Sequence, residues 1–112
     1  MLTFQKLDVY QCSIQFAAFA ASVLANVPRG HGALSDQLRR ASFSVPLNIA
    51  EGAGRGTDTD SARHYAIARG SAMECAAVLD VVHVLDVISE EKHRQGIELI
   101  GRIVSMLTKM CR

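Results

Sequence analysis

Gln37-Leu38-Arg39-Arg40-Ala41-Ser42-Phe43-Ser44-Val45-Pro46-Leu47-Asn48-Ile49-Ala50-Glu51-Gly52, followed by Gly54-Arg55, carries a helical pattern interrupted only by one proline. Leu34, Leu38, Ala41, Val45, Ile49 and Gly52 recur at the spacing of one face of an α-helix. Beside that stripe runs a polar row, Gln37, Ser44, Asn48 and Glu51. Pro46 lies inside the helical pattern, where it removes a backbone hydrogen bond and is expected to kink the helix.

Working outward, Val27-Pro28-Arg29-Gly30-His31-Gly32 and Gly52-Ala53-Gly54-Arg55-Gly56 interrupt the helical pattern on either side. Thr57, with Asp60 three residues on, opens a third helix as an N-cap pair. Ser89-Glu90-Glu91 opens a fourth, with acids placed for the helix dipole. The punctuation predicts helices near 3–26, 33–52, 58–87 and 90–110. Connections this short make successive helices antiparallel neighbours. The expected fold is therefore all-α, an antiparallel up-down-up-down four-helix bundle, with 1–112 as one domain.

The helix faces differ. In the fourth helix Ile97, Ile100, Ile103, Val104, Leu107 and Met110 oppose Arg94, Glu98, Arg102, Ser105 and Lys109, a simple amphipathic pattern. The first helix has two apolar arcs. Leu7, Tyr10, Ile14, Ala17, Ala21 and Leu24 form one, and Val9, Cys12, Phe16, Phe19, Val23 and Val27 form the other. One arc suffices for the bundle core. The second arc, with Val9, Cys12, Phe16, Phe19 and Val23, is expected to be an oligomer interface, because a monomer rarely tolerates such a patch in water. The third helix is apolar nearly all round, with small residues from Ala66 to Ala77. Ser71 and Glu74 within it need polar partners. With Gln37, Ser44, Asn48 and Glu51 they are read as one structural polar network.

Half of the chain is apolar and only two residues are proline, so it is rich enough in hydrophobic surface to fold. Met1 to Val27 lacks the basic start and compact apolar run of an export signal, and no stretch is long and apolar enough for a membrane span. Cys12, Cys75 and Cys111 are an odd, widely spaced set that makes neither a disulfide framework nor a zinc site. A reducing cytoplasm is the expected compartment.

The net charge of +1 sets up no global field towards nucleic acid, but its distribution is uneven. Residues 29–69 carry six arginines against four acids, 70–98 carry six acids against two bases, and beyond 98 only Arg102, Lys109 and Arg112 are charged. Nine of the twelve bases are arginine, the side chain suited to bidentate contacts with phosphate or carboxylate.

No catalytic constellation emerges. Glu90-Glu91-Lys92-His93 matches half of a bundle di-iron motif, but no second Glu-x-x-His exists, so no metal and no cofactor are expected. Cys75 shares its helix with His64 and His83 at spacings that do not pair a nucleophile with a base. Gly52-Ala53-Gly54-Arg55-Gly56-Thr57 follows a helix rather than a strand and so fits no phosphate-loop pattern. Arg55 nevertheless lies beside a helix N-terminus, where phosphate binds well.

The stretch from Gln37 to Gly52 with Gly54-Arg55 also resembles the signature of the four-helix-bundle proteins encoded in intervening sequences of bacterial 23S ribosomal RNA genes. Phe4-Gln5-Lys6-Leu7-Asp8-Val9-Tyr10 is similar to that family's opening, and Ile67-Ala68-Arg69-Gly70-Ser71-Ala72-Met73-Glu74 to its third-helix motif. Ala53 departs from the larger residue many relatives carry there, and Cys75 replaces the usual leucine. The resemblance implies a ring-forming homo-oligomer, typically a homopentamer. It also implies kinship with the accessory protein of diversity-generating retroelements, which binds nucleic acid and a reverse transcriptase. The expected function is an oligomeric, non-enzymatic protein that binds RNA or DNA phosphates through Arg29, Arg39, Arg40 and Arg55. The alternative is a protein-binding scaffold in which Arg39 and Arg40 pair between subunits with Asp36 or Glu51.

Overall fold

Four α-helices carry nearly all of the chain in the computed structural model, which describes residues 1–112: α1 Asp8–Leu24, α2 Gly32–Ala53, α3 Asp58–Val84 and α4 Glu90–Met110. α1 packs on α2 and α4, and α3 packs on the same two, while α1 and α3 lie on a diagonal. The result is an antiparallel up-down-up-down bundle 44 Å long.

Local chemistry sets the helix ends. The Thr57 hydroxyl accepts the Asp60 N–H at 3.2 Å, and the Ser89 hydroxyl accepts the Lys92 N–H at 3.1 Å, so each cap satisfies an otherwise orphaned donor. Residues 3–6 form a 3-10 turn rather than the start of α1, because Leu7 is extended (φ −68°, ψ 132°). α3 stops at Val84, short of the expected 87. Asp86 adopts a left-handed conformation (φ 59°), the Asp86 N–H bonds to His83 O, and the Val87 N–H bonds to Val82 O at 2.8 Å. This is a Schellman closure with aspartate where glycine is usual. α2 runs through Pro46, which is buried and has no N–H to give to Ser42 O.

The core corrects the expectation for α1. Val9, Cys12, Phe16 and Val23 lie in the bundle's own interior, each no more than 3% exposed, and Phe19 is half-buried against it. They are therefore not an oligomer interface. The other arc is split: Ile14 is 45% exposed and Ala21 lies in solvent, while Leu7, Tyr10 and Leu24 are half-buried against the rim of the core. The choice follows bulk: the phenylalanine and valine arc removes more apolar area from water than an arc built around alanines. Leu38, Ala41, Val45 and Ile49 from α2 meet Ala68, Ala72, Cys75 and Leu79 from α3, and Ile100, Ile103 and Leu107 from α4 complete the core.

Two glycines mark close helix approach. A Cβ on Gly52 would lie 2.6 Å from the Tyr65 ring and 3.1 Å from the Ser61 carbonyl oxygen, so glycine lets α2 and α3 converge. A Cβ on Gly96 would lie 2.5 Å from Leu79 Cδ1 and 2.7 Å from the Phe19 ring, whereas one on Gly101 would meet nothing within 4 Å. Gly96→Ala should cost a net 1–2 kcal/mol or so, overpacking exceeding the gain in helix propensity. Gly101→Ala, on the same helix, should raise stability by about 0.5–1 kcal/mol. Denaturant unfolding of both variants checks this, and equal stabilisation by the two would refute the packing account.

Candidate functional site

The seam between α2 and α3 holds the polar side chains that the apolar stripe of α2 places beside it. Asn48 Nδ2 donates to the Ser44 carbonyl at 2.9 Å and to Ser44 Oγ at 3.0 Å, and Ser44 Oγ meets Ser71 Oγ at 2.8 Å. With both amide hydrogens turned to Ser44, Asn48 Oδ1 faces His64 Nδ1 at 3.3 Å. His64 therefore donates from Nδ1, and its other ring nitrogen is Nε2. That nitrogen is buried and has no partner.

The seam differs from the expected network in membership. Gln37, Glu51 and Glu74 are exposed and take no part in it, because their positions lie around the helix from the contact line. His64 belongs to it and was missed. It sits seven residues before Ser71, two turns along the same face of α3, a spacing that could have found it.

The arginines expected to contact nucleic acid do not converge. Arg29 lies in the α1–α2 loop and Arg55 in the α2–α3 loop, at opposite ends of α2. The 22 residues of that helix separate them by roughly 33 Å at 1.5 Å per residue. Arg39 donates to Asp36 at 3.0 Å and Arg55 to Glu51 at 2.9 Å, both within the chain. Arg29 and Arg40 are exposed and form no ion pair in the chain.

The thiols and imidazoles are also accounted for. Burial, reinforced by the neighbouring Glu74 charge, pushes the Cys75 thiol up to about 12, so it is not a nucleophile at neutral pH. Burial also raises Cys12, with Arg102 pulling the other way. His93 of the Glu90–His93 fragment bonds through Nε2 to Asp80 at 2.8 Å and stacks on His83 with ring centroids 4.2 Å apart. Glu91 is held below the usual carboxylate range by its hydrogen bond from Arg94.

The outer surface is less polar than expected. Phe43 and Leu47 of α2 are 52% and 65% exposed, and Phe43 closes a groove with Ala17, Ala21 and Leu24 of α1. On α3 the outermost line, Ala66, Gly70, Met73, Ala77, Val81 and Val84, is exposed throughout and carries no charge. No helix is long and apolar enough to cross a membrane.

An antiparallel four-helix bundle with a polar α2–α3 seam defines an all-α bundle protein. The chain belongs to the 23S rRNA-intervening sequence protein family, whose profile matches residues 5–109. A crystal structure of a protein of unknown function from the S23 ribosomal protein family of Bacteroides thetaiotaomicron shares the fold. It superposes with a TM-score of 0.86 at 20% identity, over 93% of this chain and 98% of that one. No curated protein matches the chain.

Removing one partner of the seam should separate structural from surface groups. Asn48→Ala strands His64 Nδ1 and leaves the Ser44 hydroxyl with Ser71 as its one side-chain partner, and should lower the free energy of unfolding by about 1–3 kcal/mol. Glu51→Ala removes only an exposed ion pair and should cost less than about 1 kcal/mol. Similar losses for the two substitutions would contradict the boundary drawn here.

Proposed function

We propose that this protein is a non-enzymatic binding protein of the cytoplasm that assembles with copies of itself and holds RNA or DNA by the phosphate backbone. The observation that carries the assembly is the uncharged outer line of α3, six exposed residues long, on a helix already buried on its opposite side. Such a line in water is unfavourable for a monomer. A second apolar surface, the α1–α2 groove closed by Phe43 with Leu47 exposed one turn further along α2, lies on a different side of the bundle. Two different surfaces favour a heterologous contact, in which each copy offers α3 to the groove of the next. Such contacts form a ring where the rotation between copies closes, and a homopentamer is the size that the family resemblance suggests.

Arginine supports the phosphate reading. Arg29 and Arg40 keep their charge unpaired, and repetition around a ring multiplies weak contacts. No aromatic side chain interleaves α2's arginines except Phe43, which the assembly covers, so contacts to phosphate rather than base stacking are expected. Within this reading Arg39 and Arg55 are partly neutralised by Asp36 and Glu51 of their own chain, which weakens the scaffold alternative of inter-subunit pairs.

Phe43→Glu and Val81→Glu should each dissociate the assembly to the 12.1 kDa chain in light scattering. Mixing them should restore one intact contact and give a species of twice that mass. A wild-type protein that stays at the single-chain mass at micromolar concentration would end the assembly proposal. Binding of labelled RNA should weaken steeply with salt. No binding to RNA or DNA even at about 50 mM salt would end the phosphate reading.

A further inference from the structure

One arginine differs from the others in being held in place without being neutralised. Arg69, half-buried on the α4 side of α3, donates from Nε to Thr108 Oγ1 at 2.8 Å. Thr108 Oγ1 in turn donates to Val104 O at 2.7 Å, which fixes the hydroxyl's orientation. Arg39, Arg55 and Arg94 all face carboxylates of their own chain, but Arg69 forms no ion pair. Its Nε is committed to a neutral acceptor, and the two terminal nitrogens keep four hydrogens for an anion. A guanidinium oriented in this way loses little conformational freedom on binding, and its fork suits two oxygens of one phosphate.

The surface beside it is basic. Arg102, Ser105, Lys109 and Arg112 follow one another at intervals of three, four and three residues, so they share the outer face of α4. The first three are exposed in the helix and Arg112 is exposed just beyond it, and no carboxylate pairs with any of the bases. The acids lining the α1–α4 groove with Arg102 are Glu98, one turn before it and bonded to Arg94, and Asp8 of α1. Lys109 and Arg112 also complement the C-terminal end of the α4 dipole. That role does not extend to Arg69 or Arg102, which lie outside the last turn.

We propose that the phosphodiester-binding surface of this protein is the lower half of α4 together with Arg69, with Arg69 as its pre-oriented anchor. The proposal rests on the nucleic-acid reading above and moves the contact from the α2 arginines to α4. A backbone lying along α4 would meet Arg69 at the α3–α4 seam and then Arg112, Lys109 and Arg102 in turn. Ser105 supplies a neutral donor between them.

The test is anisotropy titration of a fluorescein-labelled single-stranded RNA with the full-length protein, over a range of salt concentrations. Arg69→Met keeps the apolar stem and should weaken binding about tenfold, the loss expected for a charge-assisted hydrogen-bonded contact. Thr108→Val leaves the charge but frees the guanidinium, and should weaken binding by a smaller factor of about three. Arg102→Gln with Lys109→Gln should flatten the dependence of log affinity on log salt by about 1.4 for each chain in contact. Arg94→Gln, at an arginine already paired with Glu91 and Glu98, should leave affinity near the wild-type value. Unchanged affinity in Arg69→Met, with mass and melting temperature also unchanged, overturns the proposal while wild-type binding upholds the broader reading. Dissociation of the assembly by Arg69→Met overturns it in favour of a carboxylate on a neighbouring copy. Absence of binding by the wild-type protein removes both.

Discussion

The close approach of α2 and α3 is the constraint on which the remaining structure depends. Gly52 admits the Tyr65 ring, and Ala41, Ala68 and Ala72 keep the two backbones near each other further along. At that separation side chains as short as Ser44 and Ser71 touch at 2.8 Å, which longer spacers would prevent. The seam then favours a partner for each polar group it encloses, since an unpaired buried donor or acceptor is costly, and His64 Nε2 is the one left without. Asn48 meets this demand on both sides, giving to Ser44 and accepting from His64. The packing also has an outward consequence. Once α3 has spent its small residues on α2 and its larger ones on the core, what remains on its outer side is alanine, glycine, methionine and valine.

Much of this was legible from residue spacing. The core stripe of α2, the amphipathic division of α4 and the two hydroxyl caps follow from local rules that tertiary context does not disturb. α1 was not legible in the same way, because its two arcs flank one polar stripe and pattern alone cannot choose between them. Side-chain volume makes the choice, and Phe16 with Val9 and Val23 fills the interior better than Ala17 and Ala21. The end of α3 was missed for a different reason. Nothing in the apolar run Val81 to Ile88 announces that an aspartate will take a left-handed conformation where glycine is usual. The polar row of α2 failed in part because helical spacing locates a stripe only to within a residue on either side. Asn48 lies on the contact line with α3, whereas Glu51 and Gln37 fall beyond it into solvent.

Charge shows the same limit in another form. A count of arginines along α2 and its flanking loops suggested a concentrated basic site, but such a count ignores partners. Asp36 and Glu51 stand one turn from Arg39 and Arg55 and bond to them. Those pairs are exposed and contribute little to stability, yet they lower the charge available to a polyanion. The bases after residue 98 have no acid among them in sequence, and in the fold they acquire no carboxylate partner either. Availability, rather than number, separates the two groups.

Assembly and binding are compatible only if they use different sides of the bundle, and the helix arrangement makes this possible. α1 and α3 occupy opposite corners, with α2 and α4 at the other two. An assembly that seats the outer line of α3 in the α1–α2 groove of a neighbour occupies three of those corners and covers Phe43 and Leu47. α4 is the helix it leaves free. The free helix is also the most strongly amphipathic of the four, which is what a permanently solvated face requires. Its polar side has no apolar line to conceal, and its lower turns present the unpaired bases outward. An α4 repeated around a closed ring would therefore form a basic belt on the exterior, and Arg69 would stand at the edge of each repeat. The same division makes α2 a poorer surface for a long polyanion than its arginine count suggests, since the assembly hides part of it and carboxylates of its own chain pair with Arg39 and Arg55.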